Sequence, residues 1–466
     1  MRRAYWLLGG GVVALAACSF TTASGFDECT TDVQCGAGMA CVKNTCLPLP
    51  DGCRRQAGVF DKADRVPLVA VLPKTLALRD GGTGTDNSEE QGLNAMTLAL
   101  EEANKFDGLK GRFFGLFFCD TNDDNDRGAA QAGWMVKNVG TPAILTSGSG
   151  LTQNVASQPD RVAANAFIIS PSATSASLVP LFRSDGNVWR VAPDDTQQAA
   201  VLAGEVAQAT AGNVNLKVVI AHETSVYGSA FEPALRDELS KRGRLPVSKS
   251  FDKDLDFAKA VALANTIANE SPVATVLVAF PPDVASIVAA GSTNPKLQRA
   301  SGHQWFLADA AKDPAIVNAV TGPELEGRLG TAPAQGAGAA FGSFSDAFLT
   351  RFGVRPDTFS FTSHAYDAMW LTLASAAWAS QNGGGITGER LREGMARLSD
   401  TTQPPLRLLA SNWTELSTTL SGGVAVNVEG ASGSLDYSLD AGTPASPYEV
   451  WQVLDGGLTT VRLVTP

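Results

Sequence analysis

Five short segments of this chain carry side chains that can hold a small polar molecule. Thr146-Ser-Gly-Ser-Gly150 and Ser170-Pro-Ser-Ala-Thr174 offer hydroxyls and backbone N–H groups. His222-Glu-Thr-Ser-Val-Tyr-Gly228 adds a carboxylate and a phenol, Phe280-Pro-Pro-Asp283 an aromatic ring, and Ala308-Asp309 a further carboxylate. Hydroxyls and amide N–H groups suit a carboxylate, and an acid suits an ammonium, so the set suits a small zwitterion. Any one of these serines or threonines also reads as a helix N-cap; the signal lies in the set.

Other chemistries fit less well. Asp120, Asn122 and Asp124 have the spacing of a calcium loop, but Asn125 replaces its glycine and Gln131 its terminal glutamate, so the run reads as a helix-capping turn. The nucleophile elbow Gly-x-Ser-x-Gly does not occur. Ser149 sits between two glycines, but its partners would have to come from His222, His303 and His364, which are scattered. His364, beside Tyr366 and Asp367 on a helical pattern, reads as a core histidine. Gly81-Gly-Thr-Gly84 lacks the lysine of a phosphate-binding loop. No enzyme activity, metal or cofactor is expected. A net charge of −11 argues against nucleic acid or an anionic membrane surface as the main partner.

The elements that would position these segments alternate regularly. Strand-like apolar runs cover Val66 to Leu72, Arg112 to Cys119, Pro142 to Leu145, Ala166 to Ile169, Leu216 to Ala221, Ala274 to Phe280 and Gln304 to Leu307. Helical patterns separate them, including Glu89 to Asn104, Gln197 to Ala209, Ala230 to Arg242 and Phe257 to Asn269. Strands alternating with helices imply an α/β fold with parallel sheets covered on both faces. In such sheets ligands bind beyond the carboxyl ends of the strands, which is where the five segments fall.

The N-terminal part has a different character. Cys29, Cys35, Cys41 and Cys46 lie close together in a stretch without a long apolar run. Their spacing departs from paired zinc-ribbon ligands, so residues 27–50 read as a small disulfide-stapled segment. Four cysteines allow three pairings, and the sequence does not choose among them. Cys53 and Cys119 are left, and the simplest accounting joins them. Ahead of this stretch, Arg2 and Arg3 precede an apolar run from Ala4 to Ala17, too short to span a bilayer comfortably. Its ending, Leu15-Ala16-Ala17-Cys18, resembles a bacterial lipobox. The resemblance implies removal of residues 1–17, lipidation of Cys18, a tether over 18–26, and a cell-envelope protein anchored on the periplasmic side or, given Ser19, in the outer membrane.

From about Val66 onward the chain resembles type I periplasmic binding proteins of the branched-chain amino acid receptor class. The matching stretches are Phe167-Ile-Ile-Ser-Pro-Ser-Ala-Thr174, Tyr227-Gly228, Gly327-Arg-Leu-Gly-Thr-Ala332, Tyr366-Asp-Ala368 and Gly433-Ser-Leu-Asp436. The resemblance implies two doubly wound, Rossmann-like lobes, 51–192 with 333–430 and 193–332 with 431–466, joined by a multi-strand hinge. It implies that Ser149, the backbone of Ser172 and Thr174 hold a ligand carboxylate. Tyr227 and Phe280 would line the pocket, Phe280 without the family's usual phenol, and Asp309 would take the ammonium in place of a longer glutamate. The loop from Pro73 to Asn87 is longer than usual for the family and would reshape the side-chain end of the pocket. The implied role is to capture an amino-acid-like ligand and present it to an ABC permease. A surface sensor or scaffold acting through the cysteine-rich segment is the alternative.

Overall fold

The computed structural model describes residues 28–77, 82–211, 215–320, 323–381 and 385–465. The signal segment, Cys18 and the whole tether over 18–26 lie outside the described residues. The chain first forms a hairpin, β1 (Met39–Val42) and β2 (Thr45–Pro48), closed by Cys29–Cys41 and Cys35–Cys46 disulfides. A third disulfide joins Cys53 to Cys119, which face each other in register on neighbouring strands.

Next come β3 (Cys53–Gly58), β4 (Val66–Leu72), a small hairpin of β5 (Thr75–Ala77) and β6 (Thr83–Thr85), and α1 (Asn87–Lys105). They are followed by β7 (Phe114–Asp120), α2 (Asn125–Trp134), β8 (Ala143–Thr146), α3 (Ser149–Ala156), α4 (Pro159–Ala164), β9 (Phe167–Ser170), α5 (Val179–Asp185) and β10 (Val188–Arg190). The first sheet runs β10-β9-β8-β4-β7-β3, parallel except for the antiparallel edge strand β3. Strands β7, β8 and β9 are buried at every position, as both faces of the sheet are covered.

The chain then crosses through buried Val191 and Ala192 into α6 (Asp195–Ala209). The second lobe follows with β11 (Lys217–Glu223), α7 (Val226–Lys241), β12 (Leu245–Phe251), α8 (Phe257–Asn269), β13 (Ala274–Val278), α9 (Pro281–Ser292), β14 (Gln304–Leu307), α10 (Pro314–Ala319) and β15 (Leu329–Pro333). After a return crossing, α11 (Gly338–Phe352), α12 (Thr362–Ala379), α13 (Gly388–Met395), β16 (Pro405–Arg407), α14 (Trp413–Ser421), β17 (Asn427–Gly430) and β18 (Gly433–Ser434) pack on the first lobe. Two residues each of β19 (Tyr437–Ser438) and β20 (Thr443–Pro444) pair beside β10, and the Arg190 N–H donates to the Gly442 carbonyl at 3.2 Å. The chain ends in the second sheet with β21 (Tyr448–Leu454) and β22 (Gly457–Val464), giving the order β12-β11-β13-β14-β15-β21-β22.

Within each sheet the five parallel strands, counted along the chain, stand in the order 2-1-3-4-5. That order reverses direction between the first and third strands, and a crevice opens there beyond the strand ends. In lobe one the switch lies between β4 and β8; in lobe two it lies between β11 and β13. The fold is therefore the doubly wound α/β pair expected. It differs from the sequence reading in its antiparallel edges, β3, β21 and β22. These edge strands lack a helical crossover, so the alternating pattern does not announce them.

The cysteine-rich hairpin is part of lobe one. Ala40, Val42 and Leu49 share a core cluster with Val69, Val71 and Phe117. Arg65 reaches the fully buried Asp32 carboxylate at 2.5 Å, and the Arg55 guanidinium donates to the Asp32 carbonyl. Burial pushes Asp32 above its ordinary value despite these partners and the Cys41 N–H.

Candidate functional site: the cleft between the lobes

Lobe one presents two turns that are bonded to each other. Beyond β8, Gly148 takes a positive φ of 61°, which a side chain would resist, and α3 starts at Ser149. The Ser149 hydroxyl accepts from the Ser175 N–H at 3.1 Å, and the Ser172 hydroxyl accepts from the Gly148 N–H at 2.9 Å. Beneath the second turn, the buried Arg190 guanidinium donates to the Thr174 carbonyl at 3.1 Å and the Ser175 carbonyl at 2.8 Å. Its other arm meets Asp194 at 2.8 Å. Both serine hydroxyls accept in these contacts, so each keeps its own proton to donate.

Lobe two supplies Tyr227 from the first turn of α7, where Ser225 caps the helix by accepting from the Gly228 N–H at 3.0 Å. The Tyr227 phenol donates to Asp309 Oδ1, and the Gln198 amide donates to the same oxygen at 3.1 Å. Gln198 also donates to the Thr331 carbonyl at 3.0 Å, so it bridges the two crossings. Burial raises the Asp309 carboxyl above its ordinary value, opposed by the Tyr227 and Gln198 bonds. The neighbouring Asp195, fully buried, is raised much further, first by burial and then by the Asp309 charge. Neighbouring buried carboxyls resist ionising together, which favours the protonated form of Asp195. The Asp195 N–H donates to the Thr174 carbonyl at 3.0 Å, which sets this turn beside Asp195 and its neighbour Asp309.

The lobes meet across this region. Ser88 of α1 donates to Asp313 at 2.9 Å, Ser175 donates to the Val226 carbonyl at 3.4 Å, and Lys253 pairs with Asp123. Lys253 also lies over the partly buried Phe280 ring, 5.5 Å from its centre, and that ring is 6.1 Å from Tyr227. Acids line the rest. Burial, and then Asp86, pushes Glu89 up to about 8; burial likewise pushes Asp86 to about 6 and Glu223 to about 7. A separate groove of about 570 Å³ on lobe one, lined by Phe182, Trp189, Trp378 and Arg397, touches none of these residues.

The sequence profile of the periplasmic binding protein family matches residues 77–456. The chain belongs to that family. No curated protein matches it. Among solved structures, a leucine-binding protein, LivK, from Thermotoga maritima superposes with a TM-score of 0.67 at 17% identity, over 86% of this chain and 99% of its own. LivJ from Streptococcus pneumoniae, a branched-chain amino acid transporter substrate-binding protein solved with isoleucine, gives 0.67 at 16% identity over 86% and 100%. A solute-binding protein of an ABC transporter from R. palustris, solved with benzoate, gives 0.64 at 15% over 86% and 97%. At these identities the likeness establishes the fold. The family is one of binding proteins, and no helix among the described residues is long and apolar enough to cross a membrane.

Against this family background, the structure brings Ser149, Ser172 and Thr174 to one face of the cleft and Tyr227, Phe280 and Asp309 to the other. Reading the sequence missed Arg190, Asp195 and Gln198, which hold these groups from behind. Asp195 and Gln198 lie at the start of a helical pattern, where polar residues are routine, and Arg190 ends a three-residue strand. The acidic run after β7 proves to do more than cap. Asp124 caps α2, Asp120 accepts from the Thr75 N–H at 3.0 Å and its hydroxyl at 2.7 Å, and Asp123 crosses to Lys253. His364 is fully buried on α12, and burial lowers it to about 3, in keeping with a core histidine.

Proposed function

We propose that this protein is an extracytoplasmic solute-binding lipoprotein that captures a small amino-acid-like ligand between its lobes and presents it to an ABC permease. The observation that carries the reading is that the hydroxyl turns at Ser149, Ser172 and Thr174 lie opposite the Tyr227–Asp309 pair, with the lobes joined around them by Ser175–Val226, Ser88–Asp313 and Lys253–Asp123. In this reading Ser149, Thr174 and the backbone at Ser172 take the ligand carboxylate, using protons their present contacts leave free. Asp309, held by Tyr227 and Gln198, takes the ammonium, and Tyr227 and Phe280 flank the remainder. The relatives solved with isoleucine and with benzoate have a ligand carboxylate in common, which supports assigning the hydroxyl turns to that group. A ligand touching both lobes favours the closed form by as much as its affinity for closed exceeds that for open. Lobe one is assigned to 51–192 with 333–444, lobe two to 193–332 with 448–466, and the hinge to the crossings between. The boundary moves from the expected 430 because Ala431, Leu435 and Tyr437 lie in the lobe-one core and Gly442 bonds to Arg190.

Thermal unfolding against a panel of amino acids and other small metabolites tests this. A ligand at a hundred times its dissociation constant adds about 2.7 kcal/mol of stability. A shift with amino acids that disappears in Asp309→Ala is the expected result; a panel without any shift rejects the reading. Lipidation of Cys18 is tested separately. Cys18→Ser should release the protein from the membrane fraction, and a mature N-terminus at another residue rejects the anchor. The sensor or scaffold reading gains no support from the cysteine-rich segment, which Arg55 and Arg65 tie into lobe one.

A further inference from the structure

The cleft holds more carboxyl groups than an α-ammonium requires. Glu223 ends β11, at the switch point of lobe two, and is fully buried. Neither of its carboxylate oxygens has a hydrogen-bond partner. The Ser225 hydroxyl and Phe280 N–H lie near enough to favour its ionised form, but neither reaches it with hydrogen-bond geometry. Lys253 also acts on Glu223, yet its ammonium is committed to Asp123 of the other lobe, and Asp283 opposes it. At the switch point of lobe one, Ser147 follows β8, is 2% exposed, and its hydroxyl is likewise unpartnered beside the Glu89 carboxyl. Asp86 and Asp123 add negative potential around Glu89. The two switch points therefore present unpartnered buried polar groups to the cleft between them, a carboxylate that only accepts when ionised and a hydroxyl that can accept.

A buried carboxylate with no partner is a costly arrangement, and a ligand that supplies N–H donors relieves it. A divalent ion would need several oxygens around one point. Among the described residues the only three metal-ligating side chains within 4.8 Å of one another are Cys29, Cys35 and Cys46, all in disulfides. An ammonium or guanidinium needs no such cage, since it carries three or five donors of its own.

We infer that the ligand is an organic cation, a basic amino acid or short aliphatic diamine, whose distal ammonium or guanidinium group is received by Glu223, with Glu89 and Ser147 facing it from lobe one. This rests on the amino-acid reading above and narrows it.

Titration calorimetry on the purified protein with lysine, arginine, putrescine and norleucine decides the matter. Norleucine matches the lysine side chain without its terminal charge. Lysine or arginine should bind at least tenfold more tightly than norleucine. Glu223→Gln should remove that preference by weakening lysine and arginine at least tenfold. Glu89→Gln, at a partly buried site, provides a second variant if Glu223→Gln unfolds. Norleucine binding as tightly as lysine overturns the cation assignment and leaves the amino-acid reading standing. Putrescine binding without lysine upholds the cation and overturns the carboxylate role of Ser149 and Thr174. Binding of none of the four overturns both.

Discussion

Removing the Cys53–Cys119 bond should destabilise lobe one by about 4 kcal/mol. The bond joins residues 66 apart, and a cross-link of that span removes roughly 15 cal/mol/K of entropy from the unfolded chain, or about 4 kcal/mol at 25 °C. The folded state loses little by comparison. Arg54↔Phe118 and the pairs beyond keep β3 in register on β7, and the Gly52 carbonyl still accepts from the Asp120 N–H at 3.0 Å. Alanine is the right replacement at both positions, because Cys119 is fully buried and a serine hydroxyl there would add about 1–3 kcal/mol of its own. The assay is an equilibrium urea melt of the Cys53→Ala, Cys119→Ala protein, with mass spectrometry confirming that the other two disulfides remain. Lobes can unfold separately, so the loss is read on the transition reported by lobe-one tryptophans such as Trp370 and Trp413. The slope of that transition should rise, because the uncrosslinked chain exposes more surface on unfolding. A loss below 1 kcal/mol would refute the reasoning and mean that the unfolded lobe already keeps β3 near β7.

The remaining predictions concern pH, packing and the cysteine-rich hairpin. Burial raises Glu89 to about 8 and Glu223 to about 7 from an ordinary 4.5, amid Asp86, Asp123, Asp283 and Lys253. The folded protein therefore holds protons that the unfolded chain has released. The stability these groups contribute is full below about pH 4.5 and is lost as pH rises through 7 to 8. Urea melts of the ligand-free protein between pH 5 and 8.5 should show the decline, and Glu223→Gln should flatten part of it; an unchanged slope would sink the assignment. Gly330→Ala should cost about 3 kcal/mol, the upper end of overpacking, because a Cβ there would lie 2.2 Å from the rigid, fully buried Trp451 ring. A melt within 1 kcal/mol of the parent would show that the ring can move. Arg65→Ala leaves Asp32 buried without its ion pair, and breaking such a pair costs about 3–5 kcal/mol. Limited proteolysis should then cut between residues 30 and 50; continued resistance would mean that the disulfides alone hold the hairpin.

The alternation of apolar runs with helical patterns announced parallel sheets covered on both faces, because a buried parallel strand such as β13 is apolar at nearly every position, Thr275 being its one polar residue. The same periodicity placed Ser149, Thr174, Tyr227, Phe280 and Asp309 near strand ends, and their types announced the chemistry of a zwitterion. Cysteine count and spacing announced disulfides, yet the pairing of Cys29 with Cys41 and Cys35 with Cys46 depended on how one hairpin folds. What the tertiary structure alone decided is which groups answer one another across the cleft. Asp195 and Asp309 are 114 positions apart, yet the Asp309 charge raises Asp195 once both are buried. Glu223 stands in the sequence as one more acid after a strand. Only the packing of Tyr227, Phe280 and Lys253 around it leaves both of its oxygens without a partner, and that is a property of the assembled lobes.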